Sequence, residues 1–534
     1  MGGRDPRQGG MPGSVRTVGV LVACAIVAGV LGCAVALPAV WTMVDVLSSA
    51  RAGDAEVGWL GLGASGGRRL ALTLGVALVI AALATALGWP IARVLSRGPR
   101  VASCVLVALP LLMPAYLAYS GWGELRAPDT VLGQWLARGP SWRAIAFGKT
   151  LAILGLAAWS APLAALVLAP SLATVSRQQI EAAAGASPVR RLWLHARLAR
   201  GAPLRAAALV FLVMLGSAVP LHLAQVETLA IHVWRTLAET GPDGRWRAWL
   251  AAWPLLVVAL VAAAWIAGSL TRGAAPGGVA PPRCPKAMRA FAIGIVGVGV
   301  VAPGALMAWR AGGVAPIVRF VDFHGAAIAD SLVLAAALGG LGAALAVSVG
   351  YLLGTRARLL GVAAIAGLAF TALTPGVLVG AAFARLGVAA WWPLDGVTLH
   401  ALAMLARFGV VAAVAGALMV RAEPVDLADA RQQLGDGGPA SWLRATAPAT
   451  LGLSSLAGLA TAALTLHEIE ATVLVLPAGR GSLAQVLLDL LHYNRERDLA
   501  AGTALVVAGG SALAIAAAGV AAVLRRRASR SPIG

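Results

Sequence analysis

The sequence predicts an all-α membrane protein of about twelve transmembrane helices, arranged as two homologous six-helix halves. Three observations predict it. The 534 residues are 59% hydrophobic and 12% charged, with a mean hydropathy of +0.84, which excludes a disordered chain, a collagen and a soluble nucleotide-binding enzyme. Charge-free apolar runs recur at close to the roughly 20 residues that a helix needs to cross hydrocarbon. The order of runs and loops then repeats on the far side of a Pro/Gly-rich connector, as in transporters built from internal repeats. The 64 glycines fit this solvent, because small residues let membrane helices approach closely.

In chain order, the first six runs are Thr17 to Val40, Leu70 to Ala92, Val101 to Trp122, Leu151 to Ala169, Ala206 to Ala224 and Ala248 to Leu270. The second six are Ala290 to Trp309, Ser331 to Gly354, Leu359 to Ala384, Leu399 to Val420, Ala449 to Leu466 and Ala500 to Leu524. Each is expected to be helical, because a backbone in lipid has no water to satisfy its polar groups. Arg4, Arg7 and Arg16 before the first run also suit a secretory signal. The length of that run and the even number of crossings favour a retained helix.

Charge fixes the expected sidedness. Segments on the side of both termini carry 25 Lys and Arg against 6 acids, and the opposite segments carry 16 of each. Arg407, inside the tenth run, completes the net charge of +20. Positive loops stay in the cytoplasm, so both termini are expected there. The basicity is thus a topology signal and not a nucleic-acid surface. The four cysteines form no disulfide framework: Cys24, Cys33 and Cys104 lie in apolar runs and Cys284 in the connector.

The expected units are residues 1–270, a cytoplasmic linker over 271–288 and residues 289–534. In each half the longest cytoplasmic loop joins the fourth and fifth runs, over 170–205 and 421–448. The first reads QQIEAAAGASPVRRLWLHARLARGAP and the second DLADARQQLGDGGPASWLRATAPATLG. Both resemble the cytoplasmic "EAA, three residues, Gly, then Leu-Pro" loop of permease subunits of binding-protein-dependent ABC importers. Asp429-Ala430-Arg431 stands where EAA would be, Gly435 follows, and Ala447-Pro448 replaces Leu-Pro. In the first half Gly185 sets the register; Gln179-Ile180-Glu181 falls on the EAA positions, with Ala182 and Ala183 displaced and Arg197-Leu198 where Leu-Pro belongs.

Further stretches resemble the fused two-half, ferric-iron-type permeases of that family. Pro110 to Tyr116 with Tyr119 is similar to the third span, Pro375-Gly376 with Gly380 to the ninth, and Ala406-Arg407-Phe408 to the tenth. His467-Glu468-Ile469-Glu470-Ala471-Thr472, followed by Leu476-Pro477-Ala478-Gly479, is similar to the segment after the eleventh.

The resemblance implies a type I importer permease in the inner membrane of a bacterium, working with two copies of an ABC ATPase subunit and a periplasmic or extracellular solute-binding protein. Each loop would form a coupling helix docked on one ATPase, turning at Gly185 or Gly435, with Glu181 or Asp429 as acceptors; glycine suits such a turn because it adopts positive φ freely. Ferric iron is the solute the resemblance suggests; related fused permeases serve thiamine, polyamines or phosphonates. ATP would be bound by the partner subunits and no cofactor by this chain. Phe147-Gly148-Lys149-Thr150 ends like a phosphate-binding loop, but the first glycine of that motif is replaced by Arg143.

Arg407 is an intramembrane charge and so requires a partner or water. It either lines the pathway or is a structural arginine, and Asp330, Glu468 and Glu470 are its candidate partners or gate residues. Carboxylates suit a hard cation such as Fe³⁺ and equally suit an interfacial cap. Pro114 and Pro375 withhold backbone N–H groups and can break helices, which places Pro114, Tyr116, Pro375 and Gly376 with Arg407 and Glu468 among the candidate pathway residues. His467-Glu468 lacks the second histidine of a zinc peptidase, since Ala471 stands there, and His195, His222 and His492 have no metal-ligand spacing. An ion-gradient-driven transporter of twelve helices is the alternative. The loop 93–100 lacks the acid typical of the major facilitator family, and the longest loops fall within the halves.

Overall fold

The computed structural model describes residues 13–52, 63–96, 113–173, 201–239, 245–271, 286–355, 357–389, 395–422, 439–493 and 495–528, with scattered positions between 185 and 199. These residues are helical, without strands. In order they form α1 (Gly13–Val30) and α2 (Leu37–Ala52), joined through a π-helical turn (Leu31–Ala36), then α3 (Gly63–Leu95), α4 (Ala115–Gly123), α5 (Val131–Ala137) and α6 (Ser141–Ala173). There follow α7 (Ala202–Gly216), α8 (Val219–Leu223), α9 (Leu229–Glu239) and α10 (Arg245–Thr271). After the connector come α11 (Lys286–Val296) and α12 (Ala302–Ala311), again joined through a π-helical turn (Gly297–Val301). It continues with α13 (Val314–Leu353), α14 (Arg358–Leu373), α15 (Gly376–Gly387), α16 (Gly396–Ala422), α17 (Pro439–His467), α18 (Thr472–Val475), α19 (Leu483–His492) and α20 (Glu496–Ala528).

Among the described residues, seven helices are long and apolar enough to cross a membrane, and the bent pair α14–α15 makes an eighth candidate. Leu78, Val79, Leu154, Leu260, Val261 and Val333 point outward from such helices. An apolar exterior of this kind suits hydrocarbon and not water, and the chain is a multi-pass membrane protein.

Two expected crossings are not continuous helices. The ninth breaks between α14 and α15, whose axes meet at 105°. Pro375, with no N–H to give and φ fixed near −49°, starts the second piece. The fifth ends at Gly216 and resumes at Val219, with Ser217 extended (φ −82°, ψ 101°). Of the third, the described part is α4, which Pro114 starts in the same extended geometry as Pro375 (φ −55°, ψ 140°, against −49° and 132°).

Packing ties the chain across its connector. The buried cluster of Ile80, Leu156, Val210 and Leu221 takes in Ala292, Ile295 and Val296 of α11, while the cluster of Leu345, Leu368 and Phe383 takes in Ala23 and Val27 of α1. The first described helix and the helix that follows the connector thus each lie against a long helix from the other side of that connector, α1 on α13 and α11 on α3. Burying these faces in protein supplies the close packing that holds helices together where lipid offers no hydrophobic advantage.

Ion pairs link segments that the charge pattern assigns to one side. Arg69 meets Glu227, Arg385 meets Asp45, Arg480 meets Asp330, and Arg310 gathers Glu124, Asp129 and Glu496.

Candidate functional site

The break at Pro375 leaves backbone groups without helical partners, as every helix end does. In an unbroken helix the carbonyl of Ala372 would accept from the N–H of Gly376. Here Arg407, about three turns and roughly 16 Å into α16, donates through Nη1 to the carbonyls of Ala372 (3.1 Å) and Thr374 (2.7 Å). Thr371 fastens the same junction by donating its hydroxyl to the carbonyl of Ala406 (2.7 Å).

The freed N–H of Gly376 goes to an acid. Between α17 and α18 the chain passes through Glu468 and Glu470, both 7% exposed. Glu470 accepts from Gly376 N through Oε2 (3.1 Å) and from Ala218 N, at the start of α8, through Oε1 (2.9 Å). Glu468 accepts from Ala471 N, at the start of α18 (3.0 Å). Arg407 faces both, with Nε 3.4 Å from Glu468 and Nη2 4.0 Å from Glu470.

Charges and helix ends are therefore matched. The cation sits on the carbonyl end of α14, and the anions sit on the N–H ends of α15, α8 and α18, the sense that the helix dipole favours. One arginine and two glutamates carry a formal charge of −1 between them, and three helix N–H donors offset the excess. Burying such charges is tolerable only when they are paired and hydrogen-bonded in this way.

Close backbone approach builds the site. A Cβ on Gly376 would lie 2.7 Å from Glu470 Oε2 and 2.8 Å from Glu468 Oε1, and one on Gly380 would lie 2.8 Å from the backbone of Ala471. His400, about two turns before Arg407 on the same face of α16, approaches the Thr472 hydroxyl at 3.3 Å.

A similar contact without charge lies before α4. Trp159 of α6 donates its indole N–H to the carbonyl of Met113 (2.8 Å), next to Pro114. Tyr116 is buried with Met113, Val219 and Ile469, and among the described residues its hydroxyl has no hydrogen-bond partner.

Of the sequence-predicted residues, the structure joins Arg407, Glu468, Glu470, Pro375 and Gly376 in one centre, and sets Pro114 and Tyr116 at the start of α4. Asp330 is elsewhere: it accepts from Arg480 (3.0 Å) and from Gly481 N (3.3 Å). Its place at the end of an expected span does not bring it to the centre, because α13 begins well before it, at Val314. Gly185 lies exposed in a turn, and among the described residues of that loop Gly201, before α7, has left-handed backbone, φ 74°. Pro448 lies within α17, so the latter part of the expected second loop is helical. Glu181, Ala182, Ala183, Asp429, Ala430, Gly435, Pro110, Cys104, Cys284 and most of the linker lie outside the described residues.

Ala218 and Trp159 were not expected at a site. Their contributions are a backbone N–H and an indole in an apolar run, neither of which marks itself in sequence. Among the described residues no three His, Cys, Asp or Glu side chains converge as a metal site. An open cavity of about 370 Å³ lies apart from the centre, lined by Asp129, Trp309, Arg310, Glu496 and Arg497. No family model, curated protein or solved structure matches this chain.

Proposed function

We propose that this chain is the membrane-spanning permease subunit of an ATP-driven, binding-protein-dependent importer, with two homologous six-helix halves enclosing the solute path. One observation carries the reading: helix starts in extended or non-helical backbone at Pro114, Ala218, Pro375 and Ala471, two in each half, with three of them tied directly to one buried ionic centre. Non-helical backbone at membrane depth is tolerated only where protein buries it or a cavity runs beside it. Transporters place such breaks where the solute passes between repeats.

The order of elements supports the halves. Each holds a helix pair joined by a π turn, a long helix, a piece started by an extended proline, a further long helix, a helix of 15 (α7) or 29 residues (α17), a short helix, an amphipathic helix and a final long helix, while α5 in the first half and α14 in the second have no described counterpart. A polar detail repeats as well. Thr73 of α3 accepts from Leu229 N at the start of α9 (2.8 Å), and Ser331 of α13 accepts from Leu483 N at the start of α19 (2.9 Å). The importer class itself rests on the resemblance of the loops 170–205 and 421–448, and with it the bacterial inner membrane, the cytoplasmic termini, the two ATPase partners and ferric iron as the first solute to test.

Co-purification tests the class. The expected result is a complex with an ABC ATPase whose hydrolysis rises when the cognate solute-binding protein is added. Solute uptake by the purified chain alone, driven by a proton or sodium gradient, would overturn it in favour of a secondary transporter.

A further inference from the structure

Glu470 divides its two oxygens between the halves. Oε1 takes the N–H of Ala218, in the first half, and Oε2 takes the N–H of Gly376, in the second. Glu468, two residues earlier, bonds Ala471 N and meets Arg407, both in the second half. Similar residue types therefore have different reach: Glu468 braces its own half, and Glu470 spans two.

The arrangement is one-sided. The stretch before Ala471 holds two acids, whereas Leu215-Gly216-Ser217 before Ala218 holds none. The first half therefore offers no reciprocal carboxylate. Nor does the centre need a ligand to balance it, because Arg407 and three helix N–H groups meet the two carboxylates. If Ala218 withdraws, Glu470 keeps Gly376 N and Arg407, so the freed state leaves no naked charge. Ala218 N exchanges one acceptor for water or a solute, an exchange with a small net cost.

We infer that Glu470 is a latch joining the two halves, and that release of Ala218 from its carboxylate opens the path between α8 and α18. That this gap is a solute path rests on the proposed function; the latch itself does not. A hydrogen bond to a charged group contributes enough that losing it changes a two-state ratio about tenfold.

Spin labels read the gap directly. With the four native cysteines replaced by alanine, Glu239→Cys and Tyr493→Cys place one label at the end of α9 and one just past α19, both exposed. In the full chain in lipid nanodiscs, electron–electron distance measurement should show Glu470→Gln raising a longer-distance population about tenfold relative to the unsubstituted latch. Ala218→Pro removes the other end of the same bond. It is tolerable there because Ser217 is already extended and Ala218 (φ −88°) opens a helix. It should give the same shift, and the two together no more than either alone. Glu468→Gln should leave the distribution in place.

An unchanged distribution in Glu470→Gln or Ala218→Pro protein that elutes as one species overturns the latch, as does an additive shift in the pair. The measurement needs neither ATPase nor gradient, so an importer without a latch, and a latch in some other kind of transporter, give different results from the co-purification test.

Discussion

Trp159 and Arg407 make the same kind of contact: each sends a side-chain N–H to the carbonyl just before a proline that starts a helix, Trp159 to Met113 at 2.8 Å and Arg407 to Thr374 at 2.7 Å. One position is neutral and the other cationic. The difference follows the surroundings, since Arg407 has Glu468 and Glu470 beside it and no acid stands between Val101 and Gly123 around Pro114. A cation without those acids would be a buried unpaired charge, and the acids without the cation equally so.

Removing the cation alone should therefore be costly. Arg407→Ala strands two buried carboxylates and should lower stability by about 3–5 kcal/mol. Adding Glu468→Gln and Glu470→Gln should restore most of it, because no charge then remains to be paired. Thermal unfolding of the purified variants checks this, and a triple variant no more stable than Arg407→Ala would show that the loss was one of packing.

Gly376 offers a test of backbone approach. Its replacement by alanine sets a methyl 2.7 Å from Glu470 Oε2, so the carboxylates must move. The expected loss is about 1–3 kcal/mol, the range for overpacking. Gly340, in α13, has nothing within 4 Å of the added Cβ, and alanine there should stabilise the helix by about 0.5–1 kcal/mol. Equal effects of the two substitutions on the melting temperature would contradict the crowding at Gly376.

Much of this centre was legible in the sequence because charges in apolar runs announce themselves. Arg407 demanded a partner, and Glu468 and Glu470 stood near the end of the neighbouring run. Asp330 satisfied the same rule and proved to belong to Arg480, since proximity to a run's end says nothing of which neighbour the helix meets. What sequence does not carry is the identity of backbone donors. Ala218 bonds Glu470 through an N–H that every residue but proline has. The break at Ser217 also has no proline of its own; Pro220 comes three residues later, inside α8. Periodicity likewise gave one continuous crossing over 206–224, because apolar composition persists through the break.

Tyr116 tests the cost of a buried hydroxyl. Among the described residues it is buried with no hydrogen-bond partner. If the hydroxyl is only tolerated, Tyr116→Phe should stabilise the resting protein by about 1 kcal/mol, as expected when an unsatisfied polar group is removed. A melting temperature that falls instead would mean that the hydroxyl is already bonded. Transport that falls while the melting temperature rises would place it on the solute path.

Gly435→Asp addresses the expected coupling loop. Under the importer reading it should abolish transport and ATPase stimulation while leaving expression and membrane insertion intact. Uptake near the wild-type rate would remove the coupling role from that loop.

The cluster around Arg310 gives a pH dependence whose sign separates its acids. Burial, the larger influence, raises the Glu124 carboxyl above its ordinary 4.5 despite Arg310 nearby, whereas the hydrogen bond from Arg310 lowers exposed Asp129 below 3.8. A carboxyl raised on folding favours the folded state when protonated. That contribution is complete below pH 4.5 and is lost as pH climbs through the raised value. A lowered carboxyl does the reverse, and Asp129 gives up its contribution only as pH falls below 3.8. Glu124→Gln should therefore be more stable than the wild type at neutral pH, with the difference vanishing as pH approaches 4.5. Melting curves of both proteins across that interval measure it. A variant less stable than the wild type at neutral pH would mean that attraction to Arg310, at 3.3 Å, outweighs the burial of Glu124.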